Sequence, residues 1–481
     1  MDGEGCSTFE RHKKSLDQEN ADSSSHAKRR KGDGAFNDMP DDEQEVKFLD
    51  QAAAEMLEIE NSEEREPLTI DDLFDELLQK IFSYFQAQDV FGCLSKVCMR
   101  WERVAKDPCT LNQTQLILED KNIELCTQVL KEASCIGEVY ILPSYPPDAL
   151  NHLIRGPRIK KLVIIGDSEW HPTWPSPSDL IALLDHNKLS LQQLSMPVDS
   201  GLVHCHKQQL PETGGPSFQS ILAGMKRLTH LHMVGECWRD WDEWDLTKEH
   251  PHLRTLKIDS VSFISEECLF IRDLIMLCKS TLRTLHLPCQ LPHDAVSLLD
   301  AGIFQGSQVE ELMVSTGCLR VISQMPHLKV LAVFDNGKED RDLEWFRKMP
   351  MLSGVWKLTL QSVLETEGEK EGFVWHLLSK FNHLTEFWGF ESTVEENTFN
   401  MFLNNNPLLK EMHFFDFNGF DNPSQVSLLD NCLPKIAVID LSSSHVTEEM
   451  RKTLDVFNEK RPNVKILYDD NYDDIEMIFV S

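Results

Sequence analysis

Several things are scarce in this 481-residue chain, and each scarcity excludes something. Its thirteen cysteines are scattered, and none falls in a Cys-x-x-Cys pair. A chain of this length needs no disulfide staples, so reduced thiols in a cytosolic or nuclear setting are expected. No apolar run approaches the roughly 20 residues that span a bilayer. The start, Met1-Asp-Gly-Glu-Gly, is polar and has no apolar signal core. Cations are short as well: 47 Lys and Arg face 79 Asp and Glu, a formal net charge of −32. Nucleic-acid backbones and anionic membranes would be repelled, so neither is expected as a partner. Zinc-finger spacings, Walker loops and acid–base or nucleophile clusters are missing too. No metal, no cofactor and no catalytic activity of its own are expected. His204-Cys205-His206 is the nearest thing to a ligand set, but adjacent residues rarely supply three ligands of good geometry, which favours an exposed loop.

Residues 1–66 hold nineteen Asp/Glu, nine Lys/Arg, no Trp or Tyr and very few aliphatics. Such a segment cannot bury enough apolar surface to offset its ordering entropy, and it reads as a disordered tail. Within it Phe48, Leu49, Ala52, Ala53, Met56 and Leu57 fit a short amphipathic helix over 47–60. The cluster Lys28-Arg29-Arg30-Lys31, with Lys13-Lys14 upstream, has the composition of a nuclear import signal, so nucleus and cytoplasm are the expected locations.

Residues 67–110 change character. Thr69 or Asp71 is placed to cap a helix with one apolar stripe, Leu73, Leu77, Ile81 and Phe85, and a second beside it, Phe74, Leu78 and Phe82. Asp89 reads as the cap of another helix, whose stripe is Val90, Leu94, Val97, Trp101 and Val104, with Pro108 as its stop. About forty residues cannot bury two such faces internally, so part of this surface is expected to be covered by another chain.

From residue 136 onward one pattern recurs: aliphatic, two variable residues, aliphatic, one variable residue, aliphatic. Clear copies begin at Leu253, Leu282, Leu328, Leu409 and Ile436. Weaker ones begin at Ile136, Ile159, Leu191, Leu228, Val309, Val355, Leu384 and Val464. Most successive starts lie within the 20–29-residue period of leucine-rich repeats. Helical patterns at 266–278, 294–302, 398–404 and 448–457 fall between strands. One strand and one helix cannot bury their own apolar face, and stacking the units does. The expected fold is therefore α/β: a small helical module, then an irregular leucine-rich-repeat solenoid over 111–468, with an acidic tail at 469–481. The Asn or Cys of an ideal repeat occurs after the strand only as Asn336. Pro, Gly and Ser cluster in the long gaps at 165–190 and 197–225, which read as insertions.

Glu76-Leu77-Leu78-Gln79-Lys80-Ile81-Phe82 followed by Val97-Cys98-Met99-Arg100-Trp101 resembles the F-box. Phe74 stands where that family carries a proline. With the repeats behind it, the chain is similar to the leucine-rich-repeat class of F-box proteins. That resemblance implies a substrate-recognition subunit of a Skp–cullin–F-box ubiquitin ligase. Its partners would be a Skp-type adaptor, a cullin and an unknown protein substrate. Adaptor contact would fall on Leu73, Phe74, Leu77, Leu78, Ile81, Phe82, Val97 and Trp101, some of them shared with the module's own core. The alternative is a non-degradative scaffold or stoichiometric inhibitor using the same surfaces.

Strand alternation predicts the substrate face. Residues beside the inner aliphatics should point away from the core, onto a concave surface. They include His230, His232, Lys257, His286 and Glu311, then Phe334, Lys357, Glu386, Trp388, Phe390, Glu411, His413, Phe415 and Asp440. Exposed aromatics among charges are typical of interface hot spots, so Phe334, Lys357, Glu386, Trp388, Phe390, His413 and Phe415 are the candidate substrate contacts. Trp238, Trp241 and Trp244 form a separate cluster, read as packing against the repeats.

Overall fold

The computed structural model describes residues 69–143, 145, 147–165, 177–197, 218–234, 252–259, 268–287, 302–334, 347–363, 373–417, 420, 422–441 and 446–468. The cation cluster at 28–31, the helical pattern at 47–60, His204–His206, the three tryptophans at 238–244, Asn336 and the acidic tail lie outside the described residues. The described residues fall in two units, 69–74 in the first and those from Asp75 onward in the second. In the first, Ile70–Asp72 is a single 3-10 turn. The N–H and hydroxyl of Thr69 both donate to the Asp72 carboxylate, each at 2.8 Å. Thr69 thus caps a short turn, and the long helix expected to follow it begins only at Asp75.

The second unit opens with four helices: α1 Asp75–Phe82, α2 Ala87–Gly92, α3 Met99–Ala105 and α4 Pro108–Leu111. Two expected boundaries move. Gln86, not Asp89, precedes α2. Pro108 starts a helix rather than stopping one. It occupies the first position of α4, where its missing N–H costs nothing, and Asp107 accepts from Cys109 N–H at 2.7 Å.

Among the described residues fourteen strands follow, all parallel and paired in sequence order. They are β1 Gln115–Leu118, β2 Cys135–Ile141, β3 Arg158–Ile164, β4 Gln193–Pro197, β5 His230–Val234, β6 Thr255–Asp259 and β7 Thr284–His286. Then come β8 Glu311–Ser315, β9 Val330–Phe334, β10 Lys357–Gln361, β11 Glu386–Phe390, β12 Glu411–Phe415, β13 Val438–Asp440 and β14 Lys465–Leu467. Every predicted triplet forms a strand, and the leading and central aliphatics of β2 through β13 are buried. The pattern missed β1, because Gln113 stands where its first aliphatic would be. Helices such as Ile123–Glu132, Cys268–Cys278 and Glu396–Asn405 carry the chain back between strands. The shortest repeat, from Val309 to Leu328, uses a nine-residue 3-10 helix, Thr316–Gln324, instead. That helix rises faster per residue, so it closes the crossover with fewer residues.

Within a repeat, a buried polar side chain ties the end of the crossover helix back to the strand. Asn406 accepts from Leu384 N–H at 3.2 Å and donates to the carbonyls of Phe381 at 3.1 Å and Phe402 at 2.9 Å. Asn187 does the same with Ile159 N–H at 2.9 Å and Leu183 O at 3.0 Å. At the equivalent helix end Cys278 takes a backbone hydrogen bond from Leu253, and burial pushes its thiol up to about 11. The polar rung sits at the end of the crossover helix, not after the strand where the sequence pattern placed it. The third aliphatic of β11 is Gly389, because a Cβ there would lie 2.4 Å from Phe417 Cδ2. Phe417 joins Phe387, Phe399, Phe402, Phe414 and Phe420 in a buried aromatic cluster.

Asn406→Ala leaves the Leu384 N–H and two carbonyls without partners. The expected loss is about 2 to 3 kcal/mol, read as a lower denaturation midpoint at unchanged slope.

Candidate functional site

The α1–α4 module is held from inside by Leu78 and Phe82, both fully buried. Phe82 meets Trp101 edge-on at 5.2 Å between centroids. Trp101 keeps only 8% of its surface. These three residues, expected among the adaptor contacts, fill the module's interior instead. The reason is geometric. Leu78 and Phe82 are one helical turn apart on the face of α1 turned toward α3, and Trp101 closes that space. A polar clamp secures the same pair of helices. Arg100 Nε donates to Asp75 Oδ1 at 2.8 Å and Arg103 Nη2 to Oδ2 at 2.7 Å. Arg100 first, and then Arg103, hold the Asp75 carboxyl below its usual range.

What stays outside is apolar. Leu77 is 49% exposed, Val97 60% and Met99 87%, with Tyr84 and Phe85 also open to solvent. Ile81 is half-buried. Tyr84, Phe85 and Met99 were not among the expected contacts. The signal for Tyr84 and Phe85 is their place just beyond α1, where the helix no longer turns them inward. In the other unit Leu73 is half-buried and Phe74 is exposed.

The second candidate surface is the sheet face opposite the crossover helices. Register pairing lines its side chains into rows. One row runs Ser195, His232, Lys257, His286, Met313, Ala332, Thr359, Trp388, His413 and Asp440. Its first half is a polar network: His232 Nε2 lies 2.6 Å from Asp259 Oδ2, and Ser195 Oγ lies 3.0 Å from His232 Nδ1. Burial opposes ionisation of Asp259, yet the bond to His232 leaves its carboxyl below the usual range.

The second half is aromatic, and it corrects the expectation of exposed hot spots. Trp388 stacks on His413 at 3.9 Å, and Phe390 on Phe415 at 4.7 Å. Phe334, Phe390 and Phe415 are all buried. In-register aromatics on parallel strands roughly 4.8 Å apart stack on each other instead of standing free. Trp388 has two ring contacts: His413 stacks on it, and the Lys357 ammonium lies 4.8 Å from its centroid. Lys357 also pairs with Glu386 at 2.7 Å, and the Trp388 indole N–H donates to Glu386. His413 Nδ1 lies 3.2 Å from Asp440 Oδ2. The sequence-predicted group Lys357, Glu386, Trp388, Phe390, His413 and Phe415 is therefore one connected cluster. Phe334 stands on the same face between Ser315 and Gln361, in the row that ends in Phe390 and Phe415. Among the described residues no group of three or more His, Cys, Asp and Glu is placed to hold a metal.

Comparison with known proteins places an F-box-like domain at residues 70–114. A solved yeast structure, described as the crystal structure of the Rad7 and Elc1 complex, is similar at a TM-score of 0.35 and 12% identity. That match covers 79% of this chain and 95% of the other. No curated protein matches.

The Asp75 clamp has a pH signature. A carboxyl held low when folded adds stability above its ordinary, unfolded value, and that contribution is lost as pH falls through the lowered folded value. The melting-temperature gap between wild type and Asp75→Asn should be full at neutral pH and close below about pH 4. A gap that stays constant down to acid would show that the clamp does not depend on the charge.

Proposed function

We propose, from the F-box-like domain at residues 70–114, that this chain is the substrate-recognition subunit of a Skp–cullin–F-box ubiquitin ligase. The observation that carries the reading is the apolar surface the domain leaves unburied: Leu77, Tyr84, Phe85, Val97 and Met99. Exposed apolar groups gathered on a forty-residue module are costly in water unless a partner covers them. A Skp-type adaptor is the partner that this domain class implies, with a cullin behind it. The protein substrate is held on the open face of the repeats. The chain itself contributes no catalytic group; it brings two proteins together.

The helical module also supports the start of the sheet. Ala87, Phe91 and Leu111 belong to the same buried core as Leu116 of β1, so a substrate bound to the strands is held at a fixed offset from the adaptor surface. Fixed offset favours transfer to a lysine in reach, because positioning lowers the entropic cost of the encounter.

Leu77→Asp with Val97→Asp should abolish co-purification of a Skp-type adaptor and cullin while leaving the melting temperature nearly unchanged, since both side chains are already exposed. Retained adaptor binding in the folded double variant refutes the assignment. Adaptor and cullin binding without ubiquitylation of any captured protein would point to a non-degradative scaffold. We place the protein in the nucleus as well as the cytoplasm on the strength of Lys28-Arg29-Arg30-Lys31. Replacing these four by alanine should shift a fluorescent fusion out of the nucleus, and an unmoved fusion would remove that placement.

A further inference from the structure

The edge of the sheet where the strands begin carries charge of the opposite sign to the chain. Acidic residues outnumber Lys and Arg by 79 to 47 overall. The turns that lead into β5 through β14 reverse that balance. Residues 226–229, 252–254, 279–283, 305–310, 325–329, 347–356, 379–385, 406–410, 433–437 and 461–464 hold twelve Lys and Arg against one acid, Glu310. Helix ends attract cations, but only within the last turn. Phe218–Gly224, Cys268–Cys278, Thr316–Gln324, Glu396–Asn405 and Pro423–Cys432 have no basic residue in theirs. The cations stand beyond the helices, so the helix dipole does not account for them.

Backbone hydrogen bonds set part of this edge in a row. Glu310 N–H donates to Arg283 O at 2.8 Å, Lys329 to Glu310 at 2.7 Å, Trp356 to Lys329 at 2.9 Å, Thr385 to Trp356 at 2.8 Å and Lys410 to Thr385 at 2.8 Å. Arg283, Lys329 and Lys410 are exposed. Trp356 is 41% exposed and Met351, in the same turn, 48%. Arg347 and Lys348, also exposed, open that turn. It is pinned to the next repeat by Leu352 N–H on Lys380 O at 2.8 Å and by Lys380 Nζ on Arg347 O at 3.1 Å. The row already holds one carboxylate. Lys329 Nζ donates to Glu310, Arg283 Nη1 lies 3.6 Å from it, and Lys329 keeps its carboxyl below the usual range. An exposed tryptophan flanked by cations has the composition of an interface hot spot.

We propose that this edge docks an acidic, extended segment of a partner protein, with carboxylates on Lys329 and Lys410 and an apolar side chain between them seated on Trp356. Lys329 and Lys410 are three strands apart, about 14 Å, which four extended residues span. The segment therefore places two acids on the lysines and one apolar residue over the indole. Glu310 shows that the row accepts a carboxylate. A nucleic acid fits less well, because successive bases stack on successive aromatics, and Trp356 is the one exposed aromatic among the described residues of these turns. The inference goes beyond the ligase reading, and it holds whether or not the docked partner is ubiquitylated.

The test is fluorescence anisotropy with the whole chain and a labelled oligoglutamate peptide carrying one central phenylalanine. Its counterparts have alanine in place of the phenylalanine, glutamine in place of the glutamates, or phosphoserine in place of the glutamates, and oligouridine serves as a nucleic-acid probe. The glutamate–phenylalanine peptide should bind, the alanine form more weakly, and the glutamine form not at all. Net charge repels this probe, so its binding reports a local surface. Lys329→Glu with Lys410→Glu should weaken it by roughly tenfold or more. Trp356→Ala should cost about tenfold, and Trp356→Phe should restore most of that loss. Lys121→Glu with Lys452→Glu makes the same change in net charge at exposed helical positions and should leave binding unaltered. All four lysines are exposed, so the charge variants keep the comparison open if Trp356→Ala disturbs folding. Equal loss in the two double variants would overturn the proposal, as would unchanged binding in both Trp356→Ala and the Lys329–Lys410 variant. Tighter binding of oligouridine, or binding of the phosphoserine peptide alone, would assign the edge to another ligand and overturn it too. Carbodiimide cross-linking of the complex should join peptide carboxylates to Lys329 or Lys410. Cross-links from the chain's own residues 1–66 to those lysines, with no peptide bound, would make that segment the occupant and defeat the partner proposal.

Discussion

No unit of this fold can bury its own apolar face, and that constraint organises the rest. Each strand offers two or three aliphatics on one side. They are covered only when the crossover helix and the neighbouring strands are in place. A stack built this way has an exposed apolar end wherever it starts. Here the helical module closes it: Gln86 bridges to Gln115 in parallel, and Phe91 and Leu111 pack into the core beneath β1. The module that leaves an apolar surface exposed is therefore also the cap of the sheet. One side of it is committed inward, through Leu78, Phe82 and Trp101, and the remainder stays outside.

The opposite face of the sheet follows from the same geometry. Because the core uses one side of every strand, alternate residues are left on the other side in straight rows about one strand spacing apart. Residues distant in sequence then meet at stacking distance. Trp388 and His413 are neighbours only because β11 and β12 pair in register, and Lys357 and Glu386 because β10 pairs with β11. Each partner consumes part of the other's surface. The aromatics that alternation marks as candidates for contact are therefore largely used up by one another, and Thr359 beside them is buried as well.

Polar groups inside the stack obey the rule that buried donors and acceptors find partners. Asn187 and Asn406 end their helices and reach back to the strand of their own repeat, so a side-chain amide replaces the hydrogen bonds that the helix terminus lacks. Ser315 Oγ and Gln361 Oε1 break that rule on the open face.

The sequence by itself determined the architecture: the triplets beginning at Ile136 through Val464 each became a strand, because a period-two pattern can bury three aliphatics in only one register. It also located the helical module, since Leu77, Leu78, Ile81 and Phe82 in register with Trp101 are recognisable without coordinates. It did not resolve which members of that list look inward, because Leu77 and Leu78 are equally apolar and only the position of α3 distinguishes them. β1 was invisible, lacking its first aliphatic at Gln113. The repeat pattern places the polar rungs after the strands, yet they lie at helix ends such as Asn187 and Asn406. Only the tertiary structure decided what the open face offers. Exposure there depends on cross-strand neighbours some 25 to 29 residues away, as for Trp388 and His413 or Lys357 and Glu386, and no local pattern encodes them.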